Sequence, residues 1–361
     1  MRNAEITGWG KCMPQNVLTN HDLEQIIDTS DDWITSRTGI KERRIADVEP
    51  SDMAVVAGHR ALAAAGKTVE DVDLLLVATC TGDSIIPSTA SVVQNKMGAW
   101  NAAAMDLNAA CSGFVYGLVV GTNMIRGGTN STVLLIGAEK LHYIMDFTDR
   151  TTCVLFGDGA GAVVLEPTDE PIGILASELG MDGSIGHALA VPVDGSMGDR
   201  GAPDPAMCGI KMDGQEVFRR AVKTMAESSA RVLEEAGVGL DEVELLIPHQ
   251  ANIRILEATA RRVGIDNSRL FVNIESYGNT SAATIPVALT EALGQGRISP
   301  GGHVIFTAFG GGLSWGSAIY RWGDRVEPLG LSDIELPTPK RSTFEILQPN
   351  FDFFGLPEKL A

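Results

Sequence analysis

Three residues of this chain have the types and settings that nucleophilic acyl chemistry needs. Cys111 lies in the run Leu107-Asn-Ala-Ala-Cys111-Ser-Gly-Phe, where a strand pattern gives way to a helical one. His249 lies in Ile247-Pro-His249-Gln-Ala-Asn252 and Asn279 in Tyr277-Gly-Asn279-Thr-Ser-Ala, each just after an apolar, strand-like run. A thiolate attacks a carbonyl, and two N–H donors stabilise the oxygen on which charge develops. The partial positive charge of a helix N-terminus is expected to stabilise the Cys111 thiolate. The same dipole beside His249 is expected to oppose imidazolium and leave a neutral ring, able to donate one N–H or to act as a base. Asn279 resembles a helix N-cap, and its amide offers a second donor to the same oxygen. Cys12, Cys80, Cys153 and Cys208 lack such a setting and read as packing residues. Phe309-Gly310-Gly311-Gly312 ends another strand pattern, where glycine lets a backbone N–H face a ligand closely. Gly157-Asp-Gly159-Ala-Gly161 mimics a dinucleotide fingerprint but runs into a strand, not a helix.

The elements that position these residues are duplicated. Arg60–Leu76 reappears as Arg231–Ile247, at an offset of 171 residues, with Gly66 and Gly237 in register. Each copy reads as a helix end, a glycine stop, an acidic turn and a buried strand. The helix after Cys111 carries Gly113, Gly117 and Gly121; the offset gives Thr284, Ala288 and Ala292, again a stripe of small residues. Such stripes let helices approach closely. The pattern predicts two similar α/β halves whose central helices pack against each other between two sheets. Residues 170–212 are rich in Gly, Pro and Met and read as loop and flap over a pocket. Beyond Pro328 the composition changes to a Pro- and Phe-rich tail, expected to dock on the surface as extended chain.

Composition excludes several functions. The chain has 361 residues, and its formal net charge of −18 disfavours nucleic acid and anionic membranes as partners. No apolar run is long enough to span a bilayer, and no signal-peptide pattern opens the chain, so the expected location is cytoplasmic. Five scattered cysteines, never paired as Cys-x-x-Cys, argue for a reducing compartment and against a disulfide framework or a zinc site.

Together the motifs resemble the β-ketoacyl-acyl carrier protein synthase III family of condensing enzymes. The matching text includes Asp31-Asp-Trp33-Ile-Thr-Ser-Arg37, Asn108-Ala-Ala-Cys111-Ser-Gly-Phe, Thr148-Asp-Arg150, Pro248-His-Gln-Ala-Asn252, Tyr277-Gly-Asn-Thr-Ser281 and Ala308-Phe-Gly-Gly-Gly. It runs from about residue 3 to 322, and the tail lies outside it. The resemblance implies a thiolase-like fold, two pseudo-symmetric α/β halves (1–170 and 171–322) in an αβαβα sandwich, followed by an extension (323–361). It implies that Cys111 takes an acyl group from an acyl-CoA primer, with the oxyanion on the Cys111 and Gly311 amides. Malonyl-acyl carrier protein then loses CO2, and His249 and Asn279 hold the enolate that attacks the thioester. Phe309 would stand beside the nucleophile. Trp33 and Arg37 would flank the CoA adenine with Arg150 nearby, and Met212, Phe218, Ala251 and Asn252 would line the pantetheine tunnel. The family also implies a homodimer and no cofactor beyond the substrates. Ile86, where acetyl-primed members carry Phe, would reach across that dimer to the floor of the acyl pocket. Arg219, Arg220 and Lys223 on one predicted helix, and Arg254, Arg261 and Arg262 on another, would form a basic collar for the acidic carrier protein. A related enzyme priming a polyketide is the alternative. The hydroxymethylglutaryl-type branch of the fold needs an active-site Glu, and residues 78–84 offer Thr79, Thr81 and Asp83 but no Glu.

Overall fold

The computed structural model describes residues 3–191 and 208–356. The first half runs β1 (Asn3–Cys12), β2 (Asn16–Thr19), α1 (Asn20–Ile26), α2 (Asp31–Thr38), β3 (Glu42–Ile45), α3 (Pro50–Ala65), β4 (Leu74–Ala78), α4 (Thr89–Met97), β5 (Ala103–Leu107), α5 (Gly113–Arg126), β6 (Val133–Glu139) and β7 (Gly159–Thr168). The second runs β8 (Gly173–Met181), β9 (Leu189–Ala190), β10 (Lys211–Met212), α6 (Gly214–Ala236), β11 (Val243–Pro248), α7 (Ile253–Val263), α8 (Ile274–Tyr277), α9 (Thr284–Gly294), β12 (His303–Gly310) and β13 (Ser314–Arg321); α10 (Thr343–Phe354) follows.

The duplication is visible in the sheets. One sheet has the order β1-β7-β6-β4-β5, the other β8-β13-β12-β11. In the first sheet β4 pairs in parallel with both β5 and β6, and β7 and β1 follow antiparallel; in the second β11 and β12 pair in parallel, and β13 and β8 follow antiparallel. The fifth strand of the second sheet is reduced to a single bridge between Leu246 and Leu270. β4 reads as an unbroken apolar run, and β6 as one up to its last residue, Glu139, because both faces of their sheet are covered. Phe114, Leu118 and Ile125 of α5 share the middle layer with Ile285, Leu289 and Ala292 of α9. On the outside, α3 and α4 cover the first sheet, and α6 and α7 cover the second. The repeated glycine stops also match: Gly66 ends α3 at φ +68° and Gly237 ends α6 at φ +67°. This is the αβαβα thiolase-like sandwich.

Three expectations change. The small stripe of α5 serves its own sheet rather than α9. A Cβ on Gly117 would stand 2.4 Å from Leu135 Cδ1, and one on Gly121 2.9 Å from Leu165 Cδ1. The segment read as loop and flap contains β8, a full sheet strand, and the short β9–β10 ribbon; its residues 192–207 lie outside the described residues. The tail is extended only at first. Ser342 and Glu345 then form a capping box that opens α10, Gly355 stops it at φ +71°, and Pro349 sits inside it.

Helix α10 packs Ile346, Leu347 and Phe351 into the core beside Leu18, Met145 and Phe147. Phe351 meets Phe147 edge to face at 5.3 Å. Asn350 Nδ2 donates to the carbonyls of His142, Tyr143 and Met145, so the tail pins the loop after β6. Replacing Phe351 by Ala is expected to cost about 3 kcal/mol through lost burial and a cavity. A clear fall in the thermal unfolding midpoint checks this; an unchanged midpoint would show that α10 is not integral to the fold.

Candidate active site

Strand ends from both halves open on one cavity of about 520 Å³, lined by Cys111, His249, Asn279 and Phe309 among others. Cys111 sits in a 3-10 turn, Ala110–Ser112, between β5 and α5. Ala110 holds φ +47°, a conformation a non-glycine residue adopts only when its surroundings enforce it. Asn108 Oδ1 accepts the Ala110 N–H at 3.2 Å, and Ser314 Oγ donates to Ala109 O at 2.8 Å, tying the turn to β13. A Cβ on Gly310 would stand 2.7 Å from Cys111 N, so only glycine lets β12 end so close to the thiol.

The same elbow recurs 171 residues on. Ser281 holds φ +48°, and Asn279 Oδ1 accepts the Ser281 N–H at 2.8 Å. With its oxygen engaged, the amide of Asn279 has its two Nδ2 hydrogens left to offer. Its backbone is fixed as well: Asn279 N donates to Leu155 O, and Gly157 N donates to Asn279 O. Behind that segment the fully buried Arg43 guanidinium donates to Val154 O, Leu18 O and Asn20 Oδ1, and burial lowers it to about 10. Gly137 admits the elbow of the second half, since a Cβ there would meet Ala282 O at 2.4 Å.

His249 continues β11, its N–H bonded to Thr307 O at 2.8 Å. Its Nδ1 lies 2.7 Å from Thr284 Oγ1, leaving Nε2 as the other nitrogen. Thr284 has one hydroxyl proton and two neighbours to take it. Given to Ser281 O, at 2.9 Å, it leaves the hydroxyl oxygen to accept Nδ1–H and presents Nε2 as a lone pair. Given to Nδ1, it presents Nε2–H, the form an oxyanion in the cavity would favour.

Burial dominates the protonation states. It lowers His249 from 6.5 to about 3, so the ring is neutral as expected but for a different reason. It raises the Cys111 thiol from 9.0 to about 11, opposed by a hydrogen bond from Ser281 and by the Cys111 and Gly311 amides. The group at rest is therefore a thiol, and hydrogen bonds from Ser281 and from the Cys111 and Gly311 amides favour the anion when it forms.

Trp33, Arg37, Met212, Phe218, Ala251, Asn252 and Arg254 line the same cavity. Arg150 stands just outside, its guanidinium 5.1 Å from the Trp33 ring centroid, with Arg37 at 4.6 Å. Gly311 follows Gly310 at the end of β12. Ile86 is 87 % exposed in the loop before α4 and does not line this chain's cavity. The basic collar is partly neutralised: Arg219 and Arg220 pair with Glu216, Arg220 also with Asp182, and Arg262 with Glu227. Among the described residues Lys223, Arg254 and Arg261 have no carboxylate within 4.0 Å, and Arg254 lies over the Phe218 ring at 5.8 Å.

Sequence reasoning missed the layer behind the nucleophile. Cys80, read as packing, and Ser281 lie there with Glu139, which ends β6 and is fully buried. Thr79 and Thr81 do flank a Glu, but it arrives from 58 positions beyond Thr81. The only signal was an acid closing an otherwise apolar strand. Among the described residues no cluster of His, Cys, Asp or Glu could hold a metal ion.

Comparison with known proteins gives one family. The family described as 3-oxoacyl-[acyl-carrier-protein (ACP)] synthase III matches residues 105–183, and its C-terminal part matches 233–322. The "Beta-ketoacyl-[acyl-carrier-protein] synthase III 2" of Vibrio vulnificus is 51 % identical over 344 residues, 95 % of each chain. The synthase III of Roseiflexus castenholzii is 50 % identical over 326 residues, 88 % of this chain and 98 % of its own. The crystal structure of 3-oxoacyl-[acyl-carrier-protein] synthase III from Aquifex aeolicus superposes with a TM-score of 0.84 at 46 % identity, covering 88 % of this chain and all of that one.

The burial of His249 predicts how the protein responds to acid. Below pH 6.5 the unfolded state takes up a proton on this ring that the folded state does not bind until about pH 3. Its contribution to stability therefore falls as pH drops from 6.5 towards 3. NMR of ring-labelled histidine should show His249 neutral at pH 5; a titration midpoint near 6.5 would contradict the burial argument.

Proposed function

This chain belongs to the 3-oxoacyl-[acyl-carrier-protein] synthase III family, and from that premise we propose how its residues divide the work of the condensing acyltransferase. The enzyme condenses an acyl-CoA primer with malonyl-acyl carrier protein, giving 3-oxoacyl-acyl carrier protein, CoA and CO2, and so initiates fatty-acid synthesis. The observation that carries the residue roles is the convergence of Cys111, His249 and Asn279 on one cavity from elements of two repeated halves, 1–170 and 171–322. The tail, 323–361, is an extension, and its helix α10 braces the first half.

Cys111 attacks the primer thioester, and the Cys111 and Gly311 amides receive the oxyanion. His249 Nε2 and Asn279 Nδ2 receive the enolate oxygen that decarboxylation leaves, and the enolate carbon attacks the acyl-Cys111 carbonyl. Burial suits both steps, because a donor aimed into a dry cavity is worth more than one in water. Phe309 excludes water beside the nucleophile. Trp33, with the guanidiniums of Arg37 and Arg150 beside its ring, receives the adenine end of CoA. Met212, Phe218, Ala251 and Asn252 line the way for pantetheine. Lys223, Arg254 and Arg261, with the paired Arg219, Arg220 and Arg262 around them, steer the acidic carrier protein to the mouth.

The functional unit is a homodimer in this reading. β5 is an open sheet edge beside exposed Ile85, Ile86, Trp100 and Met105, and a second copy would cover them. Ile86 would then reach the partner's acyl pocket. The five unpaired cysteines support a cytoplasmic location; among the described residues no helix is long and apolar enough to cross a membrane.

Two experiments check these roles. With radiolabelled acyl-CoA, wild type should gain one acyl group and Cys111→Ala none; wild-type labelling of the variant would overturn the nucleophile's assignment. His249→Ala and Asn279→Ala should still load primer but release CO2 about 10²- to 10³-fold more slowly. Loss of loading with normal CO2 release would reverse their roles. For the dimer, sedimentation should give twice the chain mass, and Met105→Glu should shift it towards the monomer; an unaffected dimer would place the interface elsewhere.

A further inference from the structure

The mechanism above leaves one buried acid unused. Glu139 ends β6 directly behind the Cys111 turn, with no exposed surface. Among the described residues no cation pairs with it; its neighbours are hydrogen-bond donors. Cys80 N donates at 3.1 Å, Thr79 Oγ1 at 3.2 Å and Cys80 Sγ at 3.4 Å, and Thr81 Oγ1 donates as well. The Ser281 hydroxyl borders the cluster, 3.9 Å from Cys80 Sγ, and hydrogen bonding from it opposes the rise that burial gives both the Glu139 carboxyl and the Cys111 thiol. The backbone of Ser281 is fixed at positive φ by the Asn279 side chain. A carboxylate buried in the fold without a counter-ion is costly and asks for a function.

We propose that Glu139 and Ser281 hold the Cys111 proton during the catalytic cycle. With Glu139 ionised, the Ser281 hydroxyl donates to the carboxylate, and its oxygen accepts from the Cys111 S–H. As Cys111 attacks the primer thioester, its proton passes to Ser281 while the Ser281 proton passes to Glu139. The S–C bond to the acyl group forms, the acyl bond to CoA breaks, and the CoA thiolate takes a proton from solvent. The acyl-enzyme stage then carries a neutral Glu139. After decarboxylation the enolate attacks acyl-Cys111, and collapse of the adduct expels the Cys111 thiolate. That thiolate regains its proton through Ser281, and Glu139 is ionised again. One solvent proton is consumed per turnover, as the loss of CO2 from a carboxylate requires.

Protonation energetics agree. Burial raises both the Cys111 thiol and the Glu139 carboxyl, which brings the carboxyl nearer the thiol than an exposed acid would be. The titratable groups facing Glu139 are the thiols of Cys80, after β4, and Cys111, before α5. The elbow before α9 contributes the uncharged Ser281, and the next residue along, Lys140, pairs with Glu49. His249 is tied to Thr284, and its role at the enolate oxygen does not require it to take the thiol proton. Glu139 acts through Ser281 and is therefore a positioning and proton-holding residue.

The proposal rests on acylation of Cys111, so the experiment measures that step alone. Single-turnover acylation by acyl-CoA is followed by mass, across pH, for wild type, Glu139→Gln, Ser281→Ala and the double variant. Wild type should show a rate that rises with ionisation of a group above the usual carboxylate range and then levels. Both single variants should acylate about 10²-fold more slowly at neutral pH. They should also lose that limb and climb instead towards the thiol range. The double variant should be no slower than the singles, because they act as one unit. Unchanged pH profiles in Glu139→Gln or Ser281→Ala, or losses that multiply in the double variant, would overturn the relay. Ser281→Ala removes a single hydroxyl and decides the matter by itself if Glu139→Gln does not fold. Acylation of Cys111→Ala would instead refute the nucleophile's assignment, a separate failure.

Discussion

The site depends on one interaction made twice: an asparagine side chain accepting the N–H of the residue two positions on. Asn108 does this for Ala110 and Asn279 for Ser281, and each bond supports a backbone turned to positive φ. The turn lets the chain leave the middle of a sandwich and enter a central helix without a loop long enough to fill the cavity. In the first copy the next residue is Cys111. In the second, the asparagine itself faces the cavity, with its oxygen occupied and its amide hydrogens left. A duplicated support has thus been put to two different chemical uses.

Around these elbows, exclusion of water sets the electrostatics. Burial drives the thiol up and the imidazole down. A site of this kind rests with its thiol and its imidazole neutral. It develops charge only when substrate supplies it, next to donors already in place. The tail contributes at a distance. Asn350 pins the loop after β6, that loop leads to Leu155 and Gly157, and their backbone groups hold Asn279.

Much of this was legible in residue order. The offset of 171 residues exposed the duplication, and the identities of Cys111, His249 and Asn279 are distinctive enough to stand out. The fold class follows from alternating strands and helices. What stayed hidden depends on distance in space. Glu139 and Ser281 read as an ordinary strand-end acid and an ordinary turn residue until packing brings them behind the thiol. The stripe of glycines on α5 signals close approach but not to what, and the partner is the sheet. Helix α10 was missed for a local reason: Pro349 and the surrounding prolines outweighed a Ser342–Glu345 capping box that was present in the sequence. The collar of arginines looked more basic than it is, because Glu216 and Glu227 lie within reach of its side chains.

The central claim is that one cavity keeps two separate oxyanion positions, one on backbone amides and one on His249 and Asn279. A crystal structure of the acylated enzyme with a non-decarboxylating malonyl-pantetheine analogue tests this most directly. The account predicts the acyl oxygen on the Cys111 and Gly311 amides and the malonyl thioester oxygen between His249 Nε2 and Asn279 Nδ2. A malonyl thioester oxygen bound away from both side chains, or both oxygens competing for the backbone amides, would contradict it.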